Sequence, residues 1–273
     1  MLTITEKEFT QLAEYIKCNY GIQLKSEKKV FVTGRLQNVL MQMGFLSFTD
    51  YYQYLISDQS GEAVTVLLDK ITTNHTFFMR EAEHFYYFRD EILPRISKTI
   101  RNDDLRVWCA ASSTGEEPYT IAIIINEFTK TGKLNWDKKI LATDIANNVL
   151  DIAKSGIYSN DKVASLPKYW LMTYFEKYDC NNMIIKKELR NEVIFRRFNL
   201  MDSIFPFKKK FHVIFCRNVM IYFNNQTKTE LINKFYDITE PGGYLFIGHS
   251  ESIGRDNSKY KYVLPAIYRK QVI

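Results

Sequence analysis

The sequence predicts two domains: an all-α unit over residues 1–71, then an α/β unit over residues 72–273 built on a mainly parallel sheet. Three observations predict it. Apolar residues recur at spacings of three and four as far as Ile71. From residue 105 onward, short apolar runs alternate with amphipathic stretches. A polar segment at about 157–197 interrupts that alternation and predicts a small antiparallel β insertion.

In the first unit, Phe9, Leu12 and Ile16 form one helical stripe, and Val30, Leu36, Val39, Leu40 and Met43 a second. Tyr51, Tyr54 and Leu55, then Val64, Leu67, Leu68 and Ile71, give two more, so a bundle of four helices is expected. Gly21 precedes the second helix, Gly44 follows it, and Ser47 or Thr49 caps the third. In the second unit, strands are expected over 105–110, 139–143, 211–216 and 244–248, with helices over 118–129, 147–155 and 226–239. Within the interruption, a helical stretch near 166–174 precedes two strands, 183–187 and 193–197, around the polar turn 188–192.

Composition bounds the function. With 46% hydrophobic and 25% charged residues, the chain reads as a soluble globular protein with an aromatic core of 19 Phe and 18 Tyr. No apolar run reaches the roughly 20 residues of a membrane span, and MLTITEKEFT lacks the apolar core of a signal peptide, so no membrane insertion and a cytoplasmic location are expected. Cys18, Cys109, Cys180 and Cys216 are too scattered for a zinc site, and neither metal nor disulfide is expected. The formal charge of +6 suits an anionic partner, whether nucleic acid, an acidic protein surface or a membrane face.

Open parallel sheets bind ligands at the carboxyl ends of their strands, so chemistry is sought there. After the first strand comes CAASSTGEEP, in which small residues and Gly115 admit a ligand close to the backbone, and Pro118 falls in the first turn of the next helix. Two carboxylates at a helix start repel a phosphate but not a ligand carrying an ammonium and a sulfonium, so the motif favours a cationic cofactor. After the second strand, Asp144 either holds a ribose diol or caps the helix that follows. After the strand at 211–216, Arg217 and Asn218 leave the sheet at the ligand edge. Tyr222 lies about one turn further on, and its phenol needs a partner, whereas Met220, Ile221 and Phe223 read as core.

Between the units lies ITTNHTFFMRE. Thr72, Thr73, Asn74 and Thr76 are rich in hydrogen-bonding groups, and Phe77 and Phe78 either flank a base or seal the junction. Arg80 is expected to open a long helix to Ser97, where the helix dipole disfavours a cation, so a bound carboxylate is its natural partner.

TTNHTFFMRE, STGEEPYTIA, ATDI, the pair Asn199–Leu200, CRNVMIYF and GGYLFIGHSE, in this order, closely resemble the CheR family of chemotaxis receptor methyltransferases. The resemblance spans nearly the whole chain and implies a Rossmann-like domain that uses S-adenosylmethionine, leaving S-adenosylhomocysteine, to esterify glutamate side chains in the cytoplasmic helical region of methyl-accepting chemotaxis receptors. By position, Asn74, Thr76, Arg80, Glu117, Asp144, Asn199, Leu200, Arg217 and Asn218 match the family's cofactor-site residues, and Arg80 and Tyr222 those beside the transferred methyl.

Two features depart from the family pattern. The second helix, often strongly basic and thought to meet the receptor, has Lys28, Lys29 and Arg35 but Asn38, Val39 and Met41 where further arginines often sit. The stretch EKYDCNNMII has no glycine where some members use a glycine-containing loop to grip a peptide at the receptor's carboxyl terminus, so a tether-independent enzyme is expected, and a monomer is the default in the absence of any sequence signal for an oligomer.

Methyl transfer to a glutamate already ionised at neutral pH, with a reference pKa near 4.3, requires no general base. His75, His84, His212 and His249 are accordingly expected to be structural. Two alternatives are a nucleic-acid methyltransferase and a cofactor-binding signalling module without turnover. The first lacks the Asn/Asp-Pro-Pro-aromatic string and the Pro-Cys nucleophile of such enzymes, and intact Arg80 and Tyr222 speak against the second.

Overall fold

The computed structural model describes residues 2–72, 74–100, 103–254 and 258–272; Thr73, one of the polar linker residues, lies outside them. Four helices open the chain: α1 (Glu6–Tyr20), α2 (Lys29–Gln42), α3 (Phe48–Ser57) and α4 (Glu62–Ile71). The start of α1 is fixed by a reciprocal cap, in which Thr5 accepts from the Glu8 N–H and Glu8 accepts from the Thr5 N–H. Ser47, rather than Thr49, caps α3 by accepting from the Asp50 N–H. The stripes of α1, α3 and α4 close over one core containing Ile16, Leu36, Tyr51 and Leu67. In α2 the buried face is Val32, Leu36, Val39 and Leu40, while Val30 and Met43 face outward. Val30 lies two residues from Val32, which at 100° per residue puts them on different faces.

The second unit holds a seven-stranded sheet in the order β6 (Val193–Arg197), β2 (Ile140–Asp144), β1 (Val107–Ala110), β7 (Phe211–Phe215), β8 (Thr239–Phe246), β10 (Ile267–Arg269) and β9 (Lys261–Leu264). Its parallel part comprises β1, β2, β6, β7 and β8. The strands β9 and β10 finish it antiparallel. Helices Glu116–Gly132 and Asn147–Ser155 follow β1 and β2. From β1 the order runs one way to β2 and β6 and the other way to β7 and β8. Such a reversal opens a crevice at the strands' carboxyl ends.

The insertion differs from its expected form. Its three-stranded antiparallel sheet, in the order β3-β5-β4, joins β3 (Ile157–Ser159), β4 (Phe175–Lys177) and β5 (Asn182–Ile185). The expected second strand of the hairpin is β6, which pairs with β2 along the edge of the main sheet instead. That edge position buries Val193 and Phe195 and exposes Ile194 and Arg196, the same alternation a hairpin strand would show. Pattern alone therefore does not separate the two placements.

Candidate active site

Every residue matched to the family's site, Asn74, Thr76, Arg80, Glu117, Asp144, Asn199, Leu200, Arg217, Asn218 and Tyr222, lines one cleft of about 1090 Å³, open mouth included, at the carboxyl edge of the parallel strands. Phe77 lines it as well. Phe78 instead packs on Tyr158 and Phe175 of the insertion, with ring centroids 5.0 and 5.8 Å away, so it seals the junction. The backbone around the cleft is held in uncommon conformations: Met79, Glu81, Ala111, Ser113 and Asn218 all have φ between 47° and 67°. Left-handed non-glycine residues cost energy and cluster where structure is dictated by a site.

Gly115 lets the chain pass from β1 into the next helix. At φ 97° it has no room for a Cβ, which would lie 2.8 Å from the Tyr158 hydroxyl and 2.9 Å from Ala153. The two carboxylates that follow are placed differently. Glu116 is fully buried and turned away, bonded to Thr114 and to Lys162 of the insertion at 2.8 Å. Only Glu117 reaches the cleft, so the repulsion of a phosphate rests on one carboxylate rather than two.

Arg217 organises this end. Its side chain is 1% exposed, and it bonds Glu117 through one terminal nitrogen and Glu81, at 3.0 Å, through the other, which also reaches the Arg80 carbonyl. Burial pulls the Arg217 pKa down, but the two carboxylates outweigh it and raise it. Burial also pushes Glu81 up, yet its bonds to Asn218 and Arg217 hold its carboxyl below the ordinary value. The Cys109 thiol donates to the other oxygen of Glu117 at 3.1 Å.

Asp144 is buried at the end of β2, and burial raises its pKa against the backbone N–H bonds it accepts from Ala146 at 3.1 Å and Ser113 at 2.8 Å. It tethers the loop after β1 and caps no helix nitrogen, since the helix Asn147–Ser155 has no side-chain cap. A carboxylate has about four lone-pair sites, so acceptor capacity remains for a diol. The Ser112 and Ser113 hydroxyls in the same wall are buried without a partner among the described residues. Unpaired buried hydroxyls are costly unless a ligand meets them. The donor set, with acceptors at Asp144 and Glu117 and free hydroxyls between, fits an adenosyl group carrying a cationic amino-acid tail.

Arg80 and Tyr222 face this wall. Arg80 is not in a helix: Glu81 is the N-cap of Ala82–Tyr87, which continues through the π-helical Phe88–Ile92 to Leu93–Ser97. The left-handed turn at Met79 and Glu81 lifts Arg80 out of the helix axis, so the dipole does not act on it as it would in the first turn. One guanidinium nitrogen donates to the His75 carbonyl, and among the described residues no carboxylate lies in salt-bridge range. Tyr222 ends the 3₁₀ turn Met220–Tyr222. Met220 and Phe223 are core, but Ile221 is 46% exposed, because three residues per turn swing it outward.

Several contributors are not among the residues that the sequence singled out. Glu251 is buried and accepts from the backbone N–H groups of Asn218, Ile221 and Gly248, which fixes the turn bearing Tyr222. Its place in GGYLFIGHSE was the available clue. Glu81, in the string FMRE, was equally visible and equally without an assigned role. Tyr20 and Ile22, from the helical unit, also line the cleft. Glu81, His84 and His249 place ligand atoms within 4.8 Å of one another, but Arg217 already holds the carboxylate oxygen nearest His84, and its charge opposes a cation there.

Residues 74–268 match the family model "CheR methyltransferase, SAM binding domain", and residues 7–72 match "CheR methyltransferase, all-alpha domain". The chain is 42% identical over 272 residues to the "Chemotaxis protein methyltransferase" of Borreliella burgdorferi, across 98% of this chain and 96% of that protein. It is 35% identical over 254 residues to the Escherichia coli protein of the same name, across 92% and 86%. "Chemotaxis protein methyltransferase 1" of Pseudomonas aeruginosa is 33% identical over 265 residues, across 96% of each chain.

Proposed function

The chain belongs to the CheR methyltransferase family, and from that premise we propose that its cleft directs methyl transfer from S-adenosylmethionine to glutamate side chains of chemotaxis receptors, giving methyl esters. The observation that carries this reading is the convergence of all ten matched residues on one cleft, with Glu117 held by Arg217 on one side, Asp144 at the end of β2, and Arg80 without a carboxylate partner among the described residues.

When bound, the cofactor supplies an electrophilic methyl on a positively charged sulfur. The protein's task is to hold the partners in line, and positioning of this kind contributes about 7–11 kcal/mol in favourable cases. Asp144 would hold the ribose hydroxyls, and Glu117, held by Arg217 and Cys109, would receive the ammonium of the amino-acid tail. Arg80, whose remaining donors are unpaired among the described residues, would orient the incoming carboxylate, and the Tyr222 phenol would donate a hydrogen bond near the reacting centre. The incoming glutamate is ionised at neutral pH, so no histidine abstracts a proton. His84, pushed down to about 3 by burial and by Arg217 and His249, is neutral there, and the His212 Nδ1 is occupied by the Arg106 N–H.

Receptor docking is assigned to the α2 face, where Lys28 and Arg35 flank the Phe31 ring and Val30 and Met41 are exposed. The β4–β5 turn has no glycine and is closed by Asp179, which accepts from the Asn181 and Asn182 N–H groups. This supports a tether-independent enzyme. All side chains of the site come from one chain, so a monomer suffices. Among the described residues no helix is long and apolar enough to cross a membrane.

The test incubates the protein with S-adenosylmethionine labelled on its methyl group and with receptor membranes, then treats the product with mild base. Label released as methanol identifies a carboxyl ester. Base-stable label, or label on added DNA or RNA but not on receptor, would overturn the reading.

A further inference from the structure

The cleft is closed on one side by the helical unit rather than by the sheet. At the end of α1 the chain turns through Gly21, at φ 71°, and three contacts pin the turn to the α/β unit. The Asn199 side-chain amide donates to the Asn19 carbonyl at 2.9 Å, and the Gln23 N–H donates to the Tyr222 carbonyl at 2.8 Å. A Cβ on Gly21 would lie 2.5 Å from the Met201 sulfur, which a flexible methionine can relieve, so it is the left-handed φ of 71° that favours glycine here. Ile22 packs against the helical core and against the sheet core together.

These contacts reach two residues of the proposed site. Asn199 uses its amide on Asn19 and its oxygen on the Met201 N–H, so its side chain fixes the turn. The polarity of the cleft shows what the turn faces. Arg80, Glu117 and Arg217 gather on one side, whereas Tyr20, Ile22, Ile71, Ile145, Phe198 and Leu200 supply an apolar lining around the ends of β2 and β6. Tyr20 is half-buried there, and burial with its neighbour Tyr15 pushes its phenol up to about 12, so the ring stays uncharged. An uncharged aromatic and aliphatic wall beside Asp144 suits a planar base attached to the ribose.

Resting on the methyltransferase reading, we propose that residues 19–23 are a working part of the cofactor site: Tyr20 and Ile22 bind the adenine, and the same turn positions Tyr222. The helical unit is thereby coupled to the cofactor. Binding at the cleft tightens the contact between the two units, and by linkage a firmer contact tightens binding.

Calorimetry with S-adenosylhomocysteine on the full chain tests this, alongside hydrogen exchange of the wild-type protein with and without that ligand. Tyr20→Ala should weaken binding about tenfold or more, Tyr20→Phe less than about twofold. The amides of residues 19–24 should gain protection on binding, a readout that needs no variant to fold. Wild-type binding with a normal affinity in Tyr20→Ala and no protection over 19–24 would overturn this inference and leave the methyltransferase reading standing. No binding by the wild-type chain would overturn both.

Discussion

Replacing Arg217 with methionine should destabilise the protein more than any surface change, and most at neutral pH. The guanidinium is almost wholly buried and bridges Glu117 and Glu81 while bonding the Arg80 carbonyl. Methionine leaves two partly buried carboxylates facing each other without a cation, and removing one partner of a buried ion pair costs about 3–5 kcal/mol. At roughly 2–4 °C per kcal/mol for a domain of this size, the melting temperature should fall by about 6–20 °C. The sign with pH follows from Glu81, whose folded carboxyl is held below its ordinary value. Its stabilisation is fully present above the unfolded pKa, near 4.3, and is lost as pH falls through the folded value. Thermal melts followed by circular dichroism should therefore separate variant from wild type at pH 7.5, with the gap narrowing as pH falls below the ordinary carboxylate range. Adding Glu81→Gln should recover more than about 1 kcal/mol of the loss. A fall of less than about 3 °C at pH 7.5, or no recovery in the double variant, would refute the assigned role of Arg217.

Arg80 should behave oppositely, since its side chain is tied to the protein by one bond to the His75 carbonyl. Arg80→Ala is expected to lower turnover on receptor by about tenfold or more at saturating cofactor, with the melting temperature nearly unchanged; equal turnover would remove Arg80 from the mechanism. His84 and His212 are depressed by burial to about 3 and about 4, below the unfolded value near 6.5. The unfolded chain thus binds protons first, and stability should be lost as pH falls below about 6.5, by up to about 1.4 kcal/mol per pH unit for each histidine. Urea unfolding at pH 7.5, 6 and 5 measures the slope; His212→Gln should reduce it, and a flat profile would contradict the burial argument.

The order of elements was legible because periodicity reports which face of each is buried. Helix Asn147–Ser155 appears with the bounds its sequence predicts, and the four stripes before Ile71 become four helices. The misplaced strand, β6, shows where such reading stops: an edge strand half covered by helices alternates like a hairpin strand, and only its partner distinguishes them. The terminal β9–β10 hairpin was unread, because β9 is largely exposed and its apolar run is only Tyr262–Leu264 before Pro265. Residues of the cleft that follow strands, such as Asp144 and Arg217, were found because strand ends are where such sheets bind. Tyr20 and Ile22 were not, since their part in the cleft depends on how two units pack, and that leaves no local pattern. Glu81 and Glu251 act on neighbours through hydrogen bonds, and a carboxylate's partners are set by the folded backbone.

In the proposed site a single cleft receives the adenosyl group at Asp144 and the charged tail at Glu117. A crystal structure of the protein with S-adenosylhomocysteine tests this most directly. The account predicts the ribose hydroxyls on the Asp144 carboxylate and the amino group within hydrogen-bonding reach of Glu117. Density for the ligand elsewhere, with both carboxylates facing solvent, would contradict it.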